Sequence, residues 1–565
     1  MSPKKRRSAI SPGQVSLVPL GGMNELGKNM WLLALDNSWL LLDAGSAFPE
    51  NEMLGVDMVI PDVSYLLANK SKLKGIILSH AHLDHFGALP YLLDKISVPI
   101  YGSPLTVAVV RHYLSGYTQA KPPVFHTVAP GERFSVAGIS CEMLAVNHDL
   151  PQCCGVAVAT PQGWVVYTGD FKVDYTPVVG TPIDLARLGQ LGQEGVLCLL
   201  ADSTNAELAG STLSESSMGK RLEQALKEAG ERIVVHLSGY DLLRLQQLLW
   251  LAAEQKLQLQ IVSPDVQQMM AVAVQAGALQ LPPQTPNSKR RGEPGIRPRQ
   301  LVITSTPAGE HYLAPLLGVG YGRNLVQRGD TVIITGARIP GSEKLEQEVI
   351  NSLYKQGVAR VVEIKSDGVY SSHAARDELK LVLTLTRPQN FVPMHGETRQ
   401  LVQHKELARE LGWREEQIHL PANGKLITFA QGQGAIKGVV PAGNLLLEGF
   451  GTSDSGGVVL RDRQQLSEEG LLVAVITVHR ENGRLLGEPQ LWNQGFVYQK
   501  EATDLFAELQ EKVKQLAQEM SAAGKYDWTT LKNSSRDIIS KTIYERTHRR
   551  PVVLVTVMEI RSHNR

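Results

Sequence analysis

The stretch LSHAHLDHFGALP, Leu78 to Pro90, follows directly on the apolar run GIIL and packs His80, His82, Asp84 and His85 into six consecutive positions. Ending a buried strand on four ionisable side chains costs free energy unless something offsets their desolvation. Coordination does so. Imidazole and carboxylate are the ligand types suited to zinc and related divalent ions, and a tight loop at the C-terminal end of a strand lets alternate side chains converge. The adjacent Asp84 and His85 point away from His80 and His82, so the loop can serve two ions. With 15 histidines in 565 residues, chance is a poor source of H-x-H-x-D-H.

Two ions demand further ligands, also at strand ends. His148 ends the strand-like ISCEMLAVNHD, Asp170 ends WVVYTGD, and His395 ends NFVPMHG. Each alone reads equally well as a cap or a surface group. Together with the first four they give enough ligands for two ions with open coordination positions, the form of a catalytic and not a structural site.

The rest of the chain supplies the scaffold. Residues 15–205 read as short β runs joined by turns, with helical patterns near 86–95 and 104–115, which predicts a layered sheet-and-helix domain. From 206 to 357 helix and strand alternate: helices at 215–229, 241–255 and 264–276, and strands RIVVHLS, QLQIVS, QLVITST and TVIITG. That is βαβ grammar and predicts a mostly parallel sheet. Within it, QLPPQTPNSKRRGEPGIRPRQ reads as a long loop whose Lys289, Arg290, Arg291, Arg297 and Arg299 form a solvated surface. Residues 358–439 return to the first domain, with a helix from about 374 and another at 398–411. A linker is expected at 440–459. The segment 460–565 is expected to be a small α+β domain, with strands VVLRD, LLVAVITV and PVVLVTVME around a helix near 501–521.

Composition excludes more than it selects. Lys plus Arg number 57 against 56 Asp plus Glu, so no global field draws the chain to a polyanion, and any such partner must meet a local patch. No apolar run reaches membrane-spanning length. The N-terminal MSPKKRRSAISPG is basic but lacks the apolar segment of a secretory signal; residues 1–14 are expected to be a disordered tail and the compartment cytoplasmic. Cys141, Cys153, Cys154 and Cys198 lack zinc-finger spacing and read as buried free thiols.

The motifs together resemble a known family. HAHLDH, His148, Asp170 in TGDFK and Asp43 in LLDAG are similar to the metallo-β-lactamase superfamily. GGMNELGKNM, DAGSAFPENEMLGVDMVIPD, LADSTNAE, GDTVIITGARIPGSE, VYSSHAARDELK and FVPMHGETRQLVQHKELA resemble the β-CASP nucleases and, among them, ribonuclease J. The resemblance runs from about 15 to 560. It implies an αββα metallo-β-lactamase sandwich with an inserted parallel α/β β-CASP domain and a small α+β C-terminal domain that oligomerises, as a homodimer or homotetramer.

The resemblance also implies roles. One zinc ion falls to His80, His82 and His148, a second to Asp84, His85 and His395, with Asp170 bridging; Mn2+ or Mg2+ can substitute in activity. Such a pair activates a shared water against an RNA phosphodiester, leaving a 5′-phosphate and a 3′-hydroxyl. His373 matches the family's general acid or phosphate contact, and Asp202 in ADSTN its orienting partner. Val369, Tyr370, Ser371, Ser372 and His373, together with Ser238, match the phosphate-binding positions, where the N-terminus of the following helix would offer free N–H groups to an RNA phosphate. His395 stands where RNA-processing members carry His and DNA-processing members Val. The expected substrate is single-stranded RNA, with a 5′-monophosphate, cleaved both 5′-to-3′ and internally in rRNA processing and mRNA decay, with other RNA-degradation enzymes as possible partners.

Three positions depart from the family pattern. Asp149 follows His148 where Ser is expected, Ser372 replaces Gly, and Gly239 replaces Asn after Ser238. These bear on how the 5′ end is read. Two rival readings share the scaffold: a hydrolase of a small thioester or lactam, which does not require the insert or His373, and a catalytically silent assembly partner, which would show eroded ligands.

Overall fold

The leucine-rich runs Met30–Leu35 and Ser38–Leu42 pair antiparallel across a turn in which Asp36 takes φ +51°, a left-handed conformation that Asp tolerates. That hairpin is the centre of the first sheet in the computed structural model of the chain. The structure describes residues 14–50, 52–118, 121–283, 299–306, 313–337, 343–366, 370–449, 451–453, 457–497, 503–523 and 527–560. The chain divides into two units, one of residues 1–48 and 58–445, the other of 49–57 and 446–565.

In the first unit an eight-stranded sheet runs in the order Gln433–Val439, Lys425–Ala430, Val15–Gly21, Met30–Leu35, Ser38–Leu42, Leu73–Ile77, Ile100–Gly102, Phe125–Thr127. A six-stranded sheet runs Asn390–Met394, Val196–Asp202, Gly163–Tyr167, Cys154–Thr160, Ile139–Ala145, Arg133–Val136. Trp31, Leu33, Leu40 and Leu42 of the first meet Met143, Val156, Val165, Leu200 and Val392 of the second in one core. Val196–Asp202 is buried along its whole length, on both faces, and so reads as the nearly continuous apolar run VLCLLAD. Cys141, Cys154 and Cys198 lie in this core, and all four cysteines are buried and free.

The segment between Asp202 and Arg376 builds a separate five-stranded sheet, ordered Gln258–Ile261, Gln300–Thr306, Arg232–Ser238, Thr331–Ala337, Arg360–Ser366 and parallel throughout. Helices Glu215–Glu228, Leu242–Glu254 and Pro264–Gln275 fall where their periodicity predicts; Glu343–Lys355, not singled out in the sequence, joins them. A buried ion triad ties this layer to the sandwich. Glu215 holds Lys172 at 3.3 Å and Arg244 at 2.6 Å, and all three side chains are buried.

The second unit has Leu471–His479 between Gln490–Gln494, antiparallel, and Val552–Ile560, parallel. Helices Thr503–Ala522 and Trp528–Thr547 cover the face carrying Leu472, Ala474, Ile476 and Val478. One expectation is corrected here. VVLRD is not a strand but the start of helix Gly457–Glu469, since its β-branched pair is followed by RDRQQLSEE, in which Arg, Gln, Leu and Glu have helical preference. Within the 440–459 stretch, Asn444–Glu448 and Gly451–Ser453 pair as a hairpin. A second long helix follows the one expected near 501–521. The N-terminal tail and Lys289, Arg290, Arg291 and Arg297 lie outside the described residues.

Candidate metal centre

Every strand that ends on a candidate ligand ends at the same rim of the sandwich. His80 follows Leu73–Ile77, His148 follows Ile139–Ala145, Asp170 follows Gly163–Tyr167, Asp202 closes Val196–Asp202, and His395 follows Asn390–Met394. Asp84 and His85 ride on the single helical turn Leu83–Phe86, which swings them to the far side of His80 and His82. Side chains more than 300 residues apart in sequence thereby meet. His80, His82, His148 and Asp170 form one group with ligand atoms within 4.8 Å of one another, and Asp84, His85, Asp170 and His395 form a second. Asp170 belongs to both, the bridging place expected of it. A third group, Asp170, Asp202, His373 and His395, adjoins them.

The surrounding bonds fix which atoms face inward. His80 Nδ1 lies 2.9 Å from Ser79 Oγ, and His148 Nδ1 donates to the Ser372 carbonyl at 2.9 Å, leaving both Nε2 atoms toward Asp170 Oδ2, each at 3.8 Å. His85 Nδ1 donates to Asp43 Oδ2 at 2.7 Å. Asp43, at φ +59°, is the hub of this layer, accepting also from Ser79 N, Ser79 Oγ and Tyr167 Oη at 2.7, 2.8 and 2.6 Å. Metal-binding histidines characteristically donate their outer N–H to such partners. The inner atoms lack this satisfaction: Asp170 Oδ1 and His395 Nδ1 are buried 2.8 Å apart, yet neither makes an aligned hydrogen bond among the described residues. Buried lone pairs converging without donors fit divalent cations.

The electrostatics agree. Burial opposes the charge on each carboxylate, but the surrounding imidazoles outweigh it and hold Asp170 well below the ordinary range and Asp84 at about 2. Burial likewise disfavours a charged His82, but Asp149, with Asp84 and Asp170, lifts its pKa to about 9. Burial, with His85 and His82, drives His80 down. Carboxylates are thus charged at neutral pH, as ligands must be.

The loop that places His395 explains a motif of the N-terminal strand. His395 sits at φ +50°, unusual for a non-glycine residue, and its N–H donates to the Gly22 carbonyl of GGMNELGKNM. Asn29 of the same motif donates from its backbone to the Asp84 carbonyl, and its Nδ2 lies 3.1 Å from His85 Nε2. Gly45 is required for close approach. A Cβ there would stand 1.7 Å from the Asp84 carbonyl oxygen.

His373 and Asp202, 171 residues apart, meet at 2.7 Å between Nδ1 and Oδ2. Burial lowers the His373 pKa, but Asp202 outweighs it and the net direction is up. Ser371 Oγ accepts from Asn205 Nδ2 at 2.7 Å, and that nitrogen also donates to the His373 carbonyl at 2.8 Å. Tyr370 stacks under Arg221 at 5.0 Å. Val369 lies outside the described residues. Ser238 stands at the end of its strand in the insert sheet, against Gly336. Gly239 takes φ +56°, a region that Asn also tolerates, so that departure preserves the backbone.

One expectation fails. The N–H groups at the start of helix Arg376–Thr386 are not free for a phosphate, because Ala374 donates to the Phe171 carbonyl, Ala375 to Glu378 Oε2, Arg376 to Leu208 and Asp377 to Gly210. A helix entry buried in the fold satisfies its own donors. Sequence reading also missed Asn29, Ser79, Tyr167, Asn205 and the approach of Asp149; only Asp43 carried a signal, as a charge closing an apolar strand.

Comparison with known proteins places this geometry. The metallo-beta-lactamase superfamily model matches residues 23–202, the Zn-dependent metallo-hydrolase RNA specificity domain 357–421, and the ribonuclease J C-terminal domain 458–560. Ribonuclease J2 of Bacillus subtilis (strain 168) is 32% identical over 97% of this chain and 99% of its own length. The chain belongs to the ribonuclease J family. Ribonuclease J 2 of Streptococcus pyogenes serotype M3 is 33% identical over 97% of this chain and 100% of its own. A crystal structure of a protein of unknown function from Enterococcus faecalis V583 shares the fold, with a TM-score of 0.52 at 15% identity over 74% of this chain and 100% of that one. Membership makes the chain a metal-dependent ribonuclease with a divalent-metal centre and RNA as its substrate. No helix among the described residues is long and apolar enough to cross a membrane.

Proposed function

We propose that the chain hydrolyses single-stranded RNA at a centre of two zinc ions, releasing 5′-phosphate and 3′-hydroxyl products by both 5′-to-3′ and internal cleavage. The observation that carries this reading is the convergence of seven ligands into two groups sharing Asp170. His80, His82 and His148 would hold one ion, Asp84, His85 and His395 the other, and Asp170 both. Bound there, such a pair supplies an acidified water and offsets charge on the phosphoryl oxygens.

The protein's own part is proton handling and orientation. His373, with Nδ1 fixed on Asp202, turns Nε2 to the substrate and donates the proton that the leaving 3′-oxygen needs; Asp202 keeps the ring charged until then. Ser371 and Ser372 hold the loop carrying it, the first through Asn205 and the second through His148. Tyr370, backed by Arg221, offers a ring face to an RNA base. Rim, insert and residues 460–565 act as separate domains in this reading, the last joining copies of the chain in a cytoplasmic homo-oligomer.

A labelled 5′-monophosphate RNA tests it. The protein should release nucleotides or fragments, and a chelator should stop it. His82→Ala and Asp170→Ala should lose turnover and bound metal together, whereas His373→Ala should lose about 10²–10⁴-fold in turnover with metal content unchanged. Loss of metal from His373→Ala would move that residue from proton donor to ligand.

A further inference from the structure

Asp149 has no place in the roles above, yet its carboxylate is at the centre's edge. Its Oδ1 lies 3.2 Å from His82 Nε2 and 3.2 Å from His148 Nε2. The oxygen is buried and is aligned as a hydrogen-bond acceptor to no group among the described residues.

The faces of the neighbouring rings decide what it can do. His80 turns Nε2 inward, because its Nδ1 is at Ser79 Oγ, and His82 Nδ1 lies 3.0 Å from that Nε2. Two ligands of one tetrahedral ion, at bonds of about 2.0–2.1 Å, stand about 3.3 Å apart. The His80–His82 pair matches that spacing, so His82 ligates through Nδ1 and a neutral ring carries its proton on Nε2, facing Asp149. His148 is the other neighbour of Oδ1, but its Nδ1–H is already given to the Ser372 carbonyl, and its Nε2 is a bare lone pair needed for the ion. A carboxylate oxygen accepts and cannot donate to it. His82 Nε2–H is therefore the donor available to Asp149.

We propose that Asp149 is a positioning residue: with an ion seated, a small turn of the His82 ring aligns its Nε2–H on Asp149 Oδ1, 3.2 Å away, and that bond holds the ring with Nδ1 toward the ion. It rests on the two-ion reading of the centre. The arrangement gives His82 the outer carboxylate that His85 has in Asp43, so each ion has one histidine tied to a carboxylate. It also gives the departure at Asp149 a chemical meaning.

The test is zinc affinity of the full chain, measured by competition with a chromophoric chelator, beside the melting temperature of the metal-free protein. Asp149→Ala should weaken one of the two binding steps by about 10–100-fold and leave metal-free melting unchanged. Asp149→Asn, whose side-chain oxygen still accepts a hydrogen bond, should recover most of that affinity. An alanine variant that binds both ions as the parent does overturns the proposal and leaves the two-ion reading standing. An asparagine variant as weak as alanine also overturns it, pointing to Asp149 as a direct ligand through its charge. A parent chain that binds no zinc overturns both readings.

Discussion

At the scale of single residues, the centre depends on groups that never touch an ion. Asp43 accepts four hydrogen bonds in a fully buried position, from Ser79 twice, Tyr167 and His85. Asp43→Ala should therefore leave several buried donors without an acceptor and free the His85 ring to rotate. Metal affinity should fall by about 10–100-fold, and thermal unfolding should move several degrees lower, because each stranded donor costs about 1–3 kcal/mol. Chelator competition and calorimetry read these two effects separately. An unchanged metal affinity would mean that the helical turn Leu83–Phe86 alone places His85. The first cluster was legible because its ligands are neighbours in sequence. Asp149 and Ser79 were not, since nothing in a sequence says which ring nitrogen faces which loop.

At the scale of elements, the insert and the sandwich meet through charge as well as apolar packing. Lys172, two residues past Asp170, has no exposed surface and depends on Glu215 and the Leu213 carbonyl; Glu215 also pairs Arg244 and opens helix Glu215–Glu228. Removing one partner of a buried ion group leaves an uncompensated charge, at a cost of about 3–5 kcal/mol. Glu215→Ala should lower the denaturant midpoint accordingly, while a double Lys172→Met, Glu215→Leu variant should recover part of the loss. The helices bordering this triad were readable from their apolar period. The helix Gly457–Glu469 was misread because VVL at its start has strand preference, and the polar residues after it decide the outcome only with the rest of the unit packed. The helix entry at Arg376 shows the converse: the sequence promised free N–H groups, and the fold supplied Phe171, Leu208 and Gly210 as acceptors.

At the scale of the whole molecule, the second unit presents an apolar face. Across its sheet Val473 pairs with Trp492 on one side and Leu554 on the other, and Trp492, Leu554, Met558 and Ile560 are all exposed while the opposite face is covered by two helices. Contiguous exposed apolar surface on a strand face marks an interaction site, and the proposed homo-oligomer would cover it with a second copy of the chain. A Trp492→Asp, Leu554→Asp variant should sediment as a monomer with its metal content intact; sedimentation unchanged from the parent would move the interface elsewhere.

The sequence by itself determined the chemistry. Side-chain identity and strand-end position are local properties, and a run of apolar residues closing on His or Asp announces both. It also determined the layer types, because periodicity of 2 or 3.6 residues is written along the chain. The family resemblance implied a bridging Asp170 and an Asp202 beside His373; only the tertiary structure gave the distances that bring them together, closed the start of helix Arg376–Thr386 to phosphate, and stood Asp149 against His82. Those are distances between segments far apart in the chain, fixed by how two sheets pack, and no local pattern encodes a distance of that kind.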